Sequence, residues 1–178
     1  LIESAAAPLP VMLAVALIAV GAGVSFRVTA VPFHFYAPDV FHGTHAAGAA
    51  MLSIVPKLAG FAVLLRLIAI LPAPAAAPGA GIVLSEIVTP ALWWLAVITM
   101  CVGNVLALWQ KNVRRMLAYY SVAHAGYMLV GLTVAQADGG LAGGVESLLF
   151  YLAVYGFMTV GAFAVLIRIS GRERQVEQ

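Results

Sequence analysis

The chain has 178 residues, of which 63% are hydrophobic and 9% charged, with a formal net charge of +2 and a mean hydropathy of +1.04. Soluble domains carry about 25% charged residues, so this composition cannot solvate a globular surface and excludes a soluble enzyme or nucleic-acid-binding domain. It describes an all-α integral membrane protein whose first partner is the lipid bilayer. The lone Cys101 lies inside an apolar run and forms no intrachain disulfide.

Apolar runs of about 20 residues cross a bilayer core as helices, and five such runs are predicted. The sequence opens on Leu1 with no basic segment before the first run. It is therefore expected to lack a signal peptide and to be a piece of a longer chain. The first span, Leu9 to Phe35, is too long for one straight crossing and is predicted to break near Pro32. The second runs from Thr44 to Leu71. An Ala/Pro/Gly stretch, Pro72 to Gly81, reads as a surface loop. The third span is Ile87 to Trp109, the fourth Val113 to Val134, and the fifth Val145 to Ile169. A turn cluster, Gln136 to Gly140, separates the last two. Residues 1–178 thus form a single transmembrane domain fragment with no room for a soluble domain.

Lysine and arginine set orientation. Lys111, Arg114 and Arg115 lie between spans three and four, and Arg168, Arg172 and Arg174 follow or close span five. In a five-span chain both places face the same side, which is read as cytoplasmic.

The groups that can carry chemistry are few. Lys57 sits near the middle of span two, about 20 Å from either end at helical rise, where a cation costs at least about 2.5–3.5 kcal/mol. Its neighbours at i−4 and i+3, Ser53 and Gly60, make a small, polar strip suited to a protein-facing side. Pro56 frees the carbonyl of Leu52 beside it. Lysine in such a place can take and release a proton; the alternative is a structural lysine paired with an acid elsewhere. Arg27, whose guanidinium stays charged, can hold a field or water but carries protons poorly; the alternative is an anchor near the cytoplasmic interface.

His124 lies near the centre of span four with Ser121 and Met128 on its face. It suits a proton relay, against the alternative of an ordinary hydrogen-bonded core histidine. His34, Asp39, His42 and His45 fall between spans one and two without metal-ligand spacing, so a solvated cytoplasmic loop is expected and no metal. Span five carries Ser147, Tyr151, Tyr155 and Thr159 at steps of four, a polar stripe that either lines a hydrated path or bonds between helices. Trp93, Trp94 and Trp109 sit where aromatic belts are expected. No phosphate loop, nucleophile triad, paired cysteines or haem ligands are present, so no catalytic residue, bound cofactor or redox centre is assigned to this chain.

Two stretches go beyond physical reading. Val31-Pro32-Phe33-His34-Phe35-Tyr36-Ala37-Pro38-Asp39-Val40 resembles the signature of the antiporter-like membrane subunit N of NADH-quinone oxidoreductase, respiratory complex I. The run from Asn112 to Leu132, with Leu117-Ala118-Tyr119-Tyr120-Ser121-Val122-Ala123-His124-Ala125-Gly126-Tyr127-Met128 at its heart, is similar to a second motif of that family. Phe150 to Tyr155 and Gly161 to Val165 look like its next helix.

The resemblance implies a piece covering the seventh to eleventh helices of a larger bundle, with the seventh discontinuous at the Pro32, His34, Pro38, Asp39 motif. It implies proton translocation through a mid-membrane axis in which Lys57 is the exchanging centre. Arg27 stands where the family has lysine, preserving charge, and His124 links onward to helices outside this sequence. It further implies other membrane-arm subunits as partners, with NADH, FMN, Fe–S clusters and quinone bound by partner subunits, in a bacterial inner (plasma) membrane. A multisubunit cation/proton antiporter and a non-pumping membrane-arm scaffold are the alternatives.

Overall fold

The computed structural model describes residues 11–70, 80–137 and 141–176. Among the described residues six helices follow in order: α1 Val11–Val28, α2 Tyr36–Gly43, α3 Ala46–Ile70, α4 Ala80–Leu108, α5 Val113–Ala137 and α6 Leu141–Val176. These residues include no strand. Four of the described helices contain stretches long and apolar enough to cross a membrane, at 46–69, 88–108, 113–135 and 143–169, and α1 adds a shorter apolar segment, Ile18–Val28. The fold is that of an all-α membrane bundle.

The first span breaks as its length requires, and α1 ends at Val28, four residues before Pro32. Thr29 adopts φ 62°, a left-handed conformation that costs a β-branched residue about 1–3 kcal/mol. The following Val31–Pro32 peptide bond is cis. At membrane depth, broken backbone persists only where its polar groups find partners, and here they do. The Ala30 N–H reaches Ser25 O at 2.9 Å, the Thr29 N–H reaches Phe26 O at 3.2 Å, and the Phe33 N–H reaches Ala30 O at 2.8 Å. The Val31 N–H crosses to Thr99 Oγ1 on α4 at 3.2 Å. Tyr36 closes the gap from the far side, its ring stacked on Phe26 with centroids 4.4 Å apart and its hydroxyl donating to Phe26 O at 3.0 Å.

The expectation of a solvated loop after the break is corrected. Residues 36–43 form α2, which buries Ala37, Pro38 and Phe41. Pro38 falls in the first turn, where a missing N–H costs no helical bond. Asp39 and His42 therefore lie on a helix, with only 44–45 linking it to α3.

Asn112 starts α5 as an N-cap: its Oδ1 accepts from the N–H of Arg114 at 3.0 Å and of Arg115 at 3.4 Å. α5 is the axis of the bundle. Of its spanning stretch 61% is buried, against 17–28% for the other three. It forms a close hairpin with α4: a Cβ on Gly126 would lie 2.8 Å from the Met100 backbone N, and one on Gly103 would lie 2.6 Å from the Ala123 N. Small residues let membrane helices approach this closely. On its other side α5 meets α6, α2 and α3.

One end of the bundle is pinned by charge. Arg115 pairs with Asp39 at 2.5 Å, and Arg114 donates to Thr44 O at 3.3 Å. Phe41, Ala46, Ala118 and Phe163 pack together beneath them. The α2–α3 junction, the start of α5 and Phe163 of α6 therefore lie at one end. The helices also run past the sequence boundaries at two places. α4 begins at Ala80 rather than Ile87, and α6 continues to Val176, so Arg168, Arg172 and Arg174 are helical. Most of the Pro72–Gly81 linker and part of the 136–140 turn lie outside the described residues.

Candidate functional site

Lys57 projects from α3 into the seam between α5 and α6 and is 2% exposed. Its Nζ donates to the Ser121 carbonyl at 2.7 Å and to Ser121 Oγ. The Tyr155 hydroxyl donates to Ser121 Oγ at 2.9 Å and is hydrogen-bonded to Ser53 Oγ. Ser53 Oγ in turn lies 3.3 Å from Ser121 Oγ. The Tyr155 ring faces the ammonium, 5.2 Å from centroid to Nζ.

Helix geometry explains the assembly: Ser53 and Lys57 are one turn apart on α3, and Ser121 and Tyr155 each face them from another helix. The result is one amine held by hydroxyl and carbonyl oxygens, with no carboxylate within 4.0 Å among the described residues. A buried cation held only by dipoles lacks the fixed counter-charge of an ion pair, and hydroxyls both donate and accept. The chemistry available here is proton exchange through hydroxyls.

Arg27 is exposed, and with Thr29, Tyr36 and Lys57 it lines a cavity of about 50 Å³. That is room for about three to five waters at roughly 10–15 Å³ each. The cavity places the two cations on one small space at the level of the helix break.

His124 occupies a second cluster, which shares Tyr155 with the first. It is 8% exposed, and its Nδ1 is 2.5 Å from the Tyr151 hydroxyl. Four tyrosine rings surround it: Tyr120 at 4.0 Å, Tyr127 and Tyr155 at 5.4 Å, and Tyr151 at 5.7 Å between centroids. Tyr127 accepts at 2.9 Å from Asn104 on α4. Tyr155 belongs to both clusters, its hydroxyl among the Lys57 partners and its ring against His124. Met128 on the same helix is instead part of the apolar core.

The span-five stripe divides. Tyr151 serves His124, Tyr155 serves Lys57, and Thr159 is buried with its Oγ1 unpartnered. Ser147 stands apart, exposed and donating to Gly143 O of its own helix at 2.8 Å. In the break motif, Pro38 is buried, Pro32 is exposed and Asp39 pairs with Arg115. His34 has a buried Nδ1 without a partner and lies 6.4 Å from the Tyr119 ring.

The residues that sequence reasoning missed are Tyr120, Tyr127 and Thr99. The first two were signalled by their spacing, four before and three after His124, on the same helical face. Thr99 had no local signal. No group of three or more His, Cys, Asp or Glu among the described residues could hold a metal ion. The described residues thus offer no donor set for an Fe–S cluster.

The family described as NADH:quinone oxidoreductase/Mrp antiporter, transmembrane, matches residues 3–178. The chain is 46% identical over 159 residues to NADH-quinone oxidoreductase subunit N 2 of Roseiflexus castenholzii, covering 88% of this chain and 30% of that protein. It is 43% identical over 158 residues to subunit N 1 of Koribacter versatilis, covering 89% and 29%. Among solved structures it is similar to a chain of respiratory complex I from Thermus thermophilus with bound aureothin. That match has a TM-score of 0.61 and 37% identity, over 81% of this chain and 28% of that one. The chain thus spans about three tenths of the length of the curated relatives it matches.

Proposed function

The chain belongs to the NADH:quinone oxidoreductase/Mrp antiporter family of membrane proteins, and from that premise we propose that it is the central part of a proton-translocating subunit N of a bacterial complex I. In this reading it sits in the inner membrane among other membrane-arm subunits. NADH, FMN, Fe–S clusters and quinone belong to partner subunits.

The observation that carries the reading is Lys57: a mid-span amine, buried, surrounded by hydroxyls and without a carboxylate among the described residues. An intramembrane ionisable group in such a setting marks an ion pathway. Lys57 takes and releases the proton. Arg27, across the shared cavity, supplies a fixed positive charge that biases the protonation of Lys57. His124, in its tyrosine cage, is read as the onward link of the path beyond Tyr155. The break at Thr29 to Phe35 admits water and polar backbone at the depth where a continuous helix would be dry.

The family's description also includes antiporters that work without redox partners. The names of the relatives favour the complex I subunit. The test is Lys57→Ala in the full-length subunit within its complex. Quinone-linked proton uptake into vesicles should fall sharply while the complex still assembles; unchanged uptake would leave Lys57 a purely structural part.

A further inference from the structure

Beyond the Lys57 cluster lies a second, smaller cavity of about 10 Å³, close to the roughly 10–15 Å³ that one water requires. Ser53, Tyr120, Tyr155 and Thr159 contribute to its lining, and Phe163 closes it toward the end where Phe41 and Phe163 pack. Ser53 and Tyr155 are the same side chains that surround Lys57 on its other side.

Thr159 is 5% exposed, and its Oγ1 has no hydrogen-bond partner. A helical serine or threonine ordinarily returns its hydroxyl to a carbonyl one turn back, as Ser147 does to Gly143 at 2.8 Å and Thr133 to Val130 at 2.7 Å. Thr159 does neither. A buried hydroxyl left without a partner is costly, and a cavity of this size beside three further hydroxyl-bearing residues is where a water would relieve it.

The geometry points to a one-water site held by Thr159 Oγ1 and the Tyr155 hydroxyl, through which Lys57 exchanges its proton with Tyr155 as the relay. The inference rests on the reading of Lys57 as a proton-exchanging group. In release, an Nζ–H bond of the Lys57 ammonium breaks as its proton passes to Ser121 Oγ. The Ser121 hydroxyl proton passes to Tyr155 Oη, and the Tyr155 phenolic proton passes to the water. Lys57 ends neutral, both hydroxyls end neutral with one proton each, and the positive charge resides on the water for onward transfer. Uptake is the reverse. Ser53 lines both the small cavity and the larger one that Lys57 shares with Arg27.

The experiment compares Thr159→Val, Thr159→Ser, Tyr155→Phe and Lys57→Met in the complete complex reconstituted into vesicles. It measures the rate of proton translocation and its slowing in heavy water. Thr159→Val keeps shape and removes the group that holds the water. Both it and Tyr155→Phe should slow translocation by roughly a hundredfold, the lower end for loss of a positioned proton donor, and enlarge the heavy-water effect. Thr159→Ser, which keeps the hydroxyl, should restore the rate. A packing role would leave the valine variant and its isotope effect at wild-type values. If Lys57→Met abolishes translocation while Thr159→Val and Tyr155→Phe keep it, the relay is overturned and the role of Lys57 stands. If Lys57→Met itself keeps translocation, the underlying reading fails. Should Tyr155→Phe not assemble, the Thr159 pair alone decides.

Discussion

Thr99 on α4 should hold the helix break in place, and the cost of losing it can be worked out. Its side chain is fully buried, and its Oγ1 is the acceptor for the Val31 N–H at 3.2 Å, across 68 residues of sequence. Thr99→Val preserves shape and deletes the acceptor. It leaves a part-buried backbone donor unsatisfied, a loss of about 1–3 kcal/mol. That corresponds to a rise of roughly 5- to 140-fold in the open population of the segment. The same segment already carries strain at Thr29, with φ 62°, so it should be the first part of the α1–α2 region to open. Hydrogen exchange of the 29–33 amides in the full-length subunit reads this directly, since protection reports local opening. Protection should drop in Thr99→Val and return in Thr99→Ser. Unchanged exchange in the valine variant would refute the tether.

Three further outcomes follow from the same geometry. Arg27→Lys keeps a unit charge on the cavity shared with Lys57 and should change proton translocation little, whereas Arg27→Met, which deletes the charge, should lower it several-fold; tolerance of Met with a gain from Lys would overturn the field-setting role. Gly126→Ala would place a Cβ 2.8 Å from the Met100 backbone N and 3.1 Å from Ala96 O, and should cost about 1–3 kcal/mol as overpacking, seen as reduced thermal stability of the purified subunit. Asp39→Asn should cost less than about 1 kcal/mol, because the Arg115 and Asp39 side chains are 43% and 73% exposed and such pairs are screened; a loss well beyond that in a denaturation series would show the pair to be a central fastener.

Much of the fold was legible because apolar runs of spanning length dominate the chain, and the helix break because Pro32 interrupts one that is too long. The geometry that holds the break open was not. It turns on Thr29 adopting a left-handed conformation and on Thr99 reaching across from another helix, and neither has a local sequence signal. α2 reads as a loop in the sequence because eight residues with a proline among them make too few turns for periodicity to register. The start of α4 at Ala80 was hidden by Ser85 and Glu86, which interrupt the apolar run between Ile82-Val83-Leu84 and Ile87.

At the site, Lys57 stood out because a cation at mid-span is conspicuous. Its partners Ser53 and Ser121 were visible only as neighbours along their own helices. That Tyr155 joins them, and that Tyr120, Tyr127, Tyr151 and Tyr155 enclose His124, depends on how α5 and α6 pack. Ser147, evenly spaced with Tyr151 and Tyr155, faces outward for the same reason. A regular stripe states which residues share a face, and only the neighbouring helices decide how far along its length that face stays buried.

The central claim is that Lys57 exchanges a proton rather than merely carrying a charge. Lys57→Arg separates the two, because guanidinium keeps the charge and does not release its proton. Measured as protons translocated per NADH oxidised in vesicles containing the assembled complex, the arginine variant should fall well below the native stoichiometry, alongside Lys57→Ala. Native stoichiometry in Lys57→Arg would contradict the account.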